Sequence, residues 1–160
     1  MAAYDYEHTQ RGTLMRISLG CAALAGFYGG MVLRGSGDAG TQIAATSFTW
    51  MAFGMLVLLA LFHSLTVRVS REEVLLYFGV GLIRKRFSCA DIQDPQAVRT
   101  KWINGWGIHM IRGGGWLYNV SGFGAVEFQH RNGKCYRIGT DEPEALLAAI
   151  EAAIPQRAEQ

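Results

Sequence analysis

Apolar positions in this chain come in two unbroken runs and then change period. Residues 14–33 read LMRISLGCAALAGFYGGMVL and residues 43–65 read IAATSFTWMAFGMLVLLALFHSL. Each run is near the ~20 residues that a helix needs to cross the hydrocarbon of a bilayer. The second contains no Asp, Glu, Lys or Arg, and only His63 near its end is ionisable. The first contains Arg16, close enough to its start for the guanidinium to snorkel to the interface. Residues 34–42, RGSGDAGTQ, are short and polar. The pattern therefore predicts an antiparallel transmembrane hairpin over residues 14–65, with spans at 14–33 and 43–65. A cleaved signal peptide fits the first run poorly: it is long, a second run follows at once, and no A-x-A site lies beyond it. Two buried core helices fit no better, because uncharged stretches this long are rare in soluble domains.

Arg11 and Arg16 precede the first span, Arg68 and Arg71 follow the second, and the loop between them holds one Arg and one Asp. The positive-inside rule then puts both termini, including the segment 1–13, in the cytoplasm. Along the first span Ala22, Gly26 and Gly30 stand four apart, the small-xxx-small spacing that lets helix backbones approach closely in lipid. This helix-packing face serves the chain's own second helix or, on the alternative reading, another subunit. Trp50, inside the second span, is given no role.

From Thr66 the periodicity becomes that of strands. TVRVS alternates; VLLYFG and LIRKRFS flank a Gly-Val-Gly turn; IQDPQAVR contains Pro95, which confines it to an edge or a bulge. GIHMI and WLYNV flank a glycine run, and AVEFQH and KCYRIG flank Arg131-Asn132-Gly133. In this last hairpin a two-residue loop splits the apolar side chains between faces. A three-residue loop sets Phe128 opposite Tyr136 and Val126 opposite Ile138, and calls for Gly133 in the left-handed region. The sequence TDEPEALLAAIEAAI is helical: Asp141 caps, Glu144 completes a capping box, Pro143 sits in the first turn, and Leu146, Leu147, Ile150 and Ile154 form an apolar stripe. The expected fold is a membrane α-helical hairpin plus an α+β domain at residues 66–155. About seven antiparallel strands form a partly open barrel closed by one C-terminal helix, and a tail follows at 156–160.

Composition removes several function classes. A net charge of +2 gives no general attraction for nucleic acid. Three cysteines, Cys21, Cys89 and Cys135, form no CxxC pair and no closed disulfide framework. His8, His63, His109 and His130 are scattered, so no metal and no cofactor is expected. The run Gly113-Gly114-Gly115 leads into an aromatic strand rather than a helix and lacks the Lys-Ser or Lys-Thr of a phosphate loop, so it reads as an inter-strand turn. No GxSxG elbow occurs. The expectation is a protein that is not an enzyme.

Two constellations are left as contact sites for a membrane or a partner. Arg84, Lys85 and Arg86 follow the spans, where cations are drawn to anionic headgroups; on a strand Arg84 and Arg86 share one face and Lys85 takes the other. Arg99, Lys101 and Arg112 interleave with Trp102, Trp106 and Trp116, a mixture suited to a membrane–water interface or to a core with solvated cations outside.

The stretches GWGIHMI from Gly105, GWLYNVSGFGAVEF from Gly115 and NGKCYRIGTDEPEAL from Asn132 resemble the bacterial pleckstrin-homology (PH) domain membrane proteins. These place such a domain after a hairpin of membrane helices. The resemblance covers residues 64–154. It implies a bacterial inner-membrane location and a scaffolding or assembly role rather than catalysis. The expected partners are other membrane protein subunits, a second copy of the chain, or the lipid bilayer. The alternative function is a sensor of anionic headgroups through the basic and Trp-rich loops.

Overall fold

The computed structural model describes residues 4–35, 38–100, 107–111 and 114–155. The first element is a strand, β1 (Tyr6–Arg11), where the sequence predicts only a leading segment. The helices α1 (Thr13–Arg34) and α2 (Ala39–Phe62) follow, with the Asp38 side chain accepting from Thr41 N–H as N-cap of α2. Both helices are long and apolar enough to cross a membrane, with mean hydropathy 1.4 and 1.9. Then come β2 (Ser64–Val69), β3 (Glu73–Phe78), β4 (Ile83–Ser88), β5 (Ile92–Arg99), β6 (Gly107–Ile111), β7 (Gly115–Asn119), β8 (Gly124–His130), β9 (Cys135–Gly139) and α3 (Pro143–Ala153). Ser64 and Leu65, expected in the second span, open β2 instead.

The strands form two sheets, β1-β2-β3-β4 and β5-β8-β9-β7-β6. β1 pairs antiparallel with β2 from Tyr6↔Val69 to Arg11↔Ser64, so the helical hairpin is inserted between two neighbouring strands. The join has no linker. Gly12 N–H donates to the His63 carbonyl at 3.0 Å, and Arg16 Nε donates to the same oxygen at 3.0 Å. β1 lacks an apolar stripe, and its inward side chains are Tyr6, His8 and Gln10. Pairing with β2, not hydrophobic pattern, makes it a strand.

Inward positions of both sheets share one core. Leu65, Val67, Val74, Leu76 and Phe78 meet Val126, Phe128 and Ile138, and Leu146 and Ile150 of α3 complete it. Phe87 is its aromatic centre, with ring centroids 4.8 Å from Tyr136 and 5.1 Å from Phe128. Phe62, the last residue of α2, packs its ring 5.4 Å from that of Phe78, so the helix is rooted in the core. α3 lies against β5, β8 and β2.

The β8–β9 hairpin has the three-residue register, with Val126↔Ile138 and Phe128↔Tyr136; Gly133 has φ +78° and its N–H donates to His130. β5 is a sheet edge, and its register shifts between Gln93 and Gln96 around Pro95. Four expectations need correction. There are nine strands among the described residues, and β7 and β9 run parallel, with Trp116↔Tyr136 and Tyr118↔Ile138. Asp141 does not cap α3: the helix begins after Glu142, and the Asp141 carboxylate is taken by His8 at 2.6 Å. On α1 the packed face is Ala23, Gly26 and Gly30; Ala22 is exposed. A Cβ on Gly26 would lie 3.0 Å from Ala52 Cβ, and one on Gly30 would lie 3.0 Å from the Ala45 carbonyl, so the small face is occupied by the chain's own α2.

Candidate functional site

β4 ends the first sheet and β6 ends the second, and among the described residues these two edges do not pair with each other. Between them lies a cavity of 240 Å³. Leu76, Ile83 and Lys85 come from one sheet and Ile108, Trp116 and Tyr118 from the other, with Arg84 at the rim. This brings Arg84 and Lys85 together with Trp116, residues drawn from both sequence constellations.

Register explains the arrangement. Leu76↔Lys85 and Phe78↔Ile83 put Ile83, Lys85 and Phe87 on the core-facing side of β4; Arg84 and Arg86 point outward, as the alternation predicts. A lysine on the inner face of an edge strand keeps two sheet edges from closing on each other. Its Nζ lies 5.6 Å from the centroid of the Phe87 ring, a cation–π distance, while the residue stays exposed. Arg84 Nε donates to the Gly81 carbonyl at 2.6 Å and braces the β3–β4 turn. Arg86 is 3.7 Å from Glu73. Arg68 is already committed to Glu7 at 2.8 Å and to the faces of the Tyr4 and Tyr77 rings. Burial, and then the neighbouring Tyr136, push the Tyr118 phenol up, so it is a neutral hydroxyl at physiological pH. Among the described residues, none that lines it is a carboxylate, a histidine or a thiol. The cleft is suited to hold an apolar group beside an anion.

The glycine run serves the same region. Gly114 turns the chain at φ +80°, and a Cβ on Gly115 would overlap the Cys135 carbonyl, so only glycine lets β7 lie this close to β9. Lys101, Trp102, Trp106 and Arg112 lie outside the described residues. Among those described, no three His, Cys, Asp or Glu side chains are grouped to hold a metal ion. Cys89 is buried, its Sγ donates to the Ser70 carbonyl at 3.5 Å, and burial first, then Glu73, push the thiol up. Burial, followed by a hydrogen bond with Glu127, pushes Cys135 up to about 11. Ile108, Tyr118 and Leu76 were not singled out in the sequence; only their inward positions on the strands marked them.

The end of the domain nearest the helices is basic. Residues 9–18, 60–66, 79–87 and 119–124 include Arg11, Arg16, Arg84, Lys85 and Arg86 but no Asp or Glu. Compared with protein-family models, with characterised proteins and with solved structures, the chain matches none.

Proposed function

We propose that the chain is a non-catalytic inner-membrane protein whose cytoplasmic PH-like domain binds a partner, as accessory subunit, assembly factor or scaffold of a membrane protein complex. The observation that carries this reading is the apolar, lysine-gated cleft between β4 and β6, which among the described residues do not pair with each other. A free strand edge accepts an extended segment through main-chain hydrogen bonds, and a pocket beside it selects side chains. The partner segment therefore offers an apolar side chain to Ile83, Ile108 and Trp116, and a carboxylate to Lys85 or Arg84. Because Gly26 and Gly30 are spent on the chain's own hairpin, the docking surface is assigned to the domain rather than to the small-residue helix face.

The test is gentle purification of the tagged full chain from its native membrane, with the particle weighed intact. The wild type carries a foreign subunit in fixed ratio; Lys85→Glu, at an exposed position, loses it while thermal unfolding stays near wild type, and Trp116→Ala loses it along with some stability, because its ring packs against the core. A lone chain, or a partner kept by both variants, defeats the reading. The acid-free membrane end favours a second reading, recognition of anionic headgroups. A fragment starting at Thr66 lacks β1 and is unsuited to that test. The full chain should instead retain anionic lipid over neutral lipid through detergent exchange, less so at high salt; equal retention defeats it.

A further inference from the structure

Two loops frame the point where the helices enter the domain. The β3–β4 turn, residues 79–82, sits against the last turn of α2: Gly79 N–H donates to the Ser64 carbonyl at 2.9 Å, and a Cβ on Gly79 would fall 2.6 Å from the Leu61 carbonyl. The turn is thus level with residues 60–61, at the end of an apolar run that begins at Ile43 and is about as long as the ~20 residues a bilayer needs. The β7–β8 loop, residues 120–123, lies beside the start of α1. Gln10 Nε2 donates to the Ser121 carbonyl at 3.0 Å, and the Val120 carbonyl would be 3.3 Å from a Cβ on Gly12.

Both loops are braced and both carry exposed apolar tips. Val80 is 64% exposed, Leu82 75% and Phe123 45%. The backbone behind them is held by Gly81 N–H to Phe78, by Arg84 Nε to Gly81, and by Thr100 N–H and hydroxyl to Phe123. A single exposed apolar side chain is ordinary. Three on braced loops, in segments that carry no acidic residue and level with the ends of two membrane helices, form a surface suited to a bilayer interface.

We propose that Val80, Leu82 and Phe123 insert into the leaflet that α1 and α2 enter, so that the domain stands on the membrane at four points: two helices and two loops. The occupant is the bilayer because the helices fix the height of these loops. Insertion also sets the cleft. β4 climbs away from the inserted turn at about 3.3 Å per residue, placing Arg84 nearest the headgroups and Arg86 farther out.

The test uses the full chain in lipid nanodiscs with exposed Cys21 replaced by alanine. Cysteines introduced as Val80→Cys, Leu82→Cys and Phe123→Cys carry an environment-sensitive fluorophore, and Asn132→Cys in the far β8–β9 turn is the control. Lipids bearing a nitroxide near the headgroup should quench the first three probes several-fold more than the control and shift their emission to the blue. Quenching no greater than at residue 132 overturns the proposal. So does a blue shift without lipid quenching, which would place these residues against a second copy of the chain. All four substitutions are at exposed positions, and a wild-type unfolding temperature for each variant keeps the comparison interpretable.

Discussion

Replacing Gly79 by alanine tests whether the sheet domain is seated on α2. Gly79 has φ +46°, and a residue with a Cβ loses about 1–2 kcal/mol in that left-handed conformation. The added Cβ would also overlap the Ala60 carbonyl and fall 2.6 Å from the Leu61 oxygen. Both obstacles are helix backbone, so the turn itself has to move, and overpacking of this kind costs about 1–3 kcal/mol. The two effects together predict a loss of about 2–5 kcal/mol. Gly81 is the internal control. It has φ +82°, but the nearest atom to its added Cβ is 3.8 Å away, so Gly81→Ala carries only the conformational cost. The assay is thermal unfolding of the full chain in mild detergent. For a chain of this size each kcal/mol shifts the midpoint by about 3 °C. Gly81→Ala should therefore fall about 3–6 °C and Gly79→Ala about 6–15 °C. Equal shifts would refute the reasoning, because they would mean that the turn does not rest on α2.

Within the helical hairpin, Gly30→Leu would drive a side chain into Thr49 and the Ala45 carbonyl, and Gly26→Leu one into Ala52. Each should lose about 1–3 kcal/mol or more, whereas Ala22→Leu should leave unfolding in detergent unchanged; an equal loss at Ala22 would return the seam to that residue. Cys135, raised from 9.0 to about 11, should alkylate about 100-fold more slowly than an unfolded-chain thiol at pH 8, by thiolate fraction. Because its folded value is raised, its contribution to stability is whole below pH 9 and disappears between pH 9 and about 11; flat stability across that window would contradict the burial. Deleting residues 1–11 removes the β1–β2 pairing and bares β2 as a new edge; the chain should aggregate or lose protection of residues 64–69 from hydrogen exchange, and normal protection there would show β1 to be dispensable.

Legibility in the sequence followed the range of the interactions. The apolar runs located both helices to within a few residues, because the length of an uncharged apolar run is a local property. The β8–β9 register was also readable, since one choice of loop length gathers Val126, Phe128, Tyr136 and Ile138 on one face. Besides β1, three things were not. α3 starts after Glu142 with no side-chain cap, because distant His8 holds Asp141 while the Thr140 hydroxyl accepts from Glu142 N–H in the turn before the helix. The seam of α1 shifted by one residue, because Ala22 and Ala23 are equally small and only the facing Ala45, Thr49 and Ala52 choose between them. The parallel contact of β7 with β9 rests on Gly115, a position whose need for glycine shows only when the Cys135 carbonyl is beside it.

β1 is the most instructive omission, and the cleft follows from it. The strand's partner lies beyond the whole helical hairpin, so no turn signal announces the pair, and its inward Tyr6, His8 and Gln10 do not form an apolar stripe. Yet once β1 completes one side of the first sheet, β4 is left as the opposite edge. The second sheet ends on β6. Nothing in the local pattern of RKR or of GIHMI says that these two strands face each other without pairing. That depends on how far β1 and the rooted helices hold the first sheet from the second. Lys85 then has a reason to stand on the inner face. In a closed barrel its ammonium would be buried without a partner, at a cost of several kcal/mol, as for an isolated buried charge. In the open one it reaches solvent over Phe87. The lysine and the gap therefore require each other. Filling the gap with a partner is productive only if that partner brings the anion the lysine lacks.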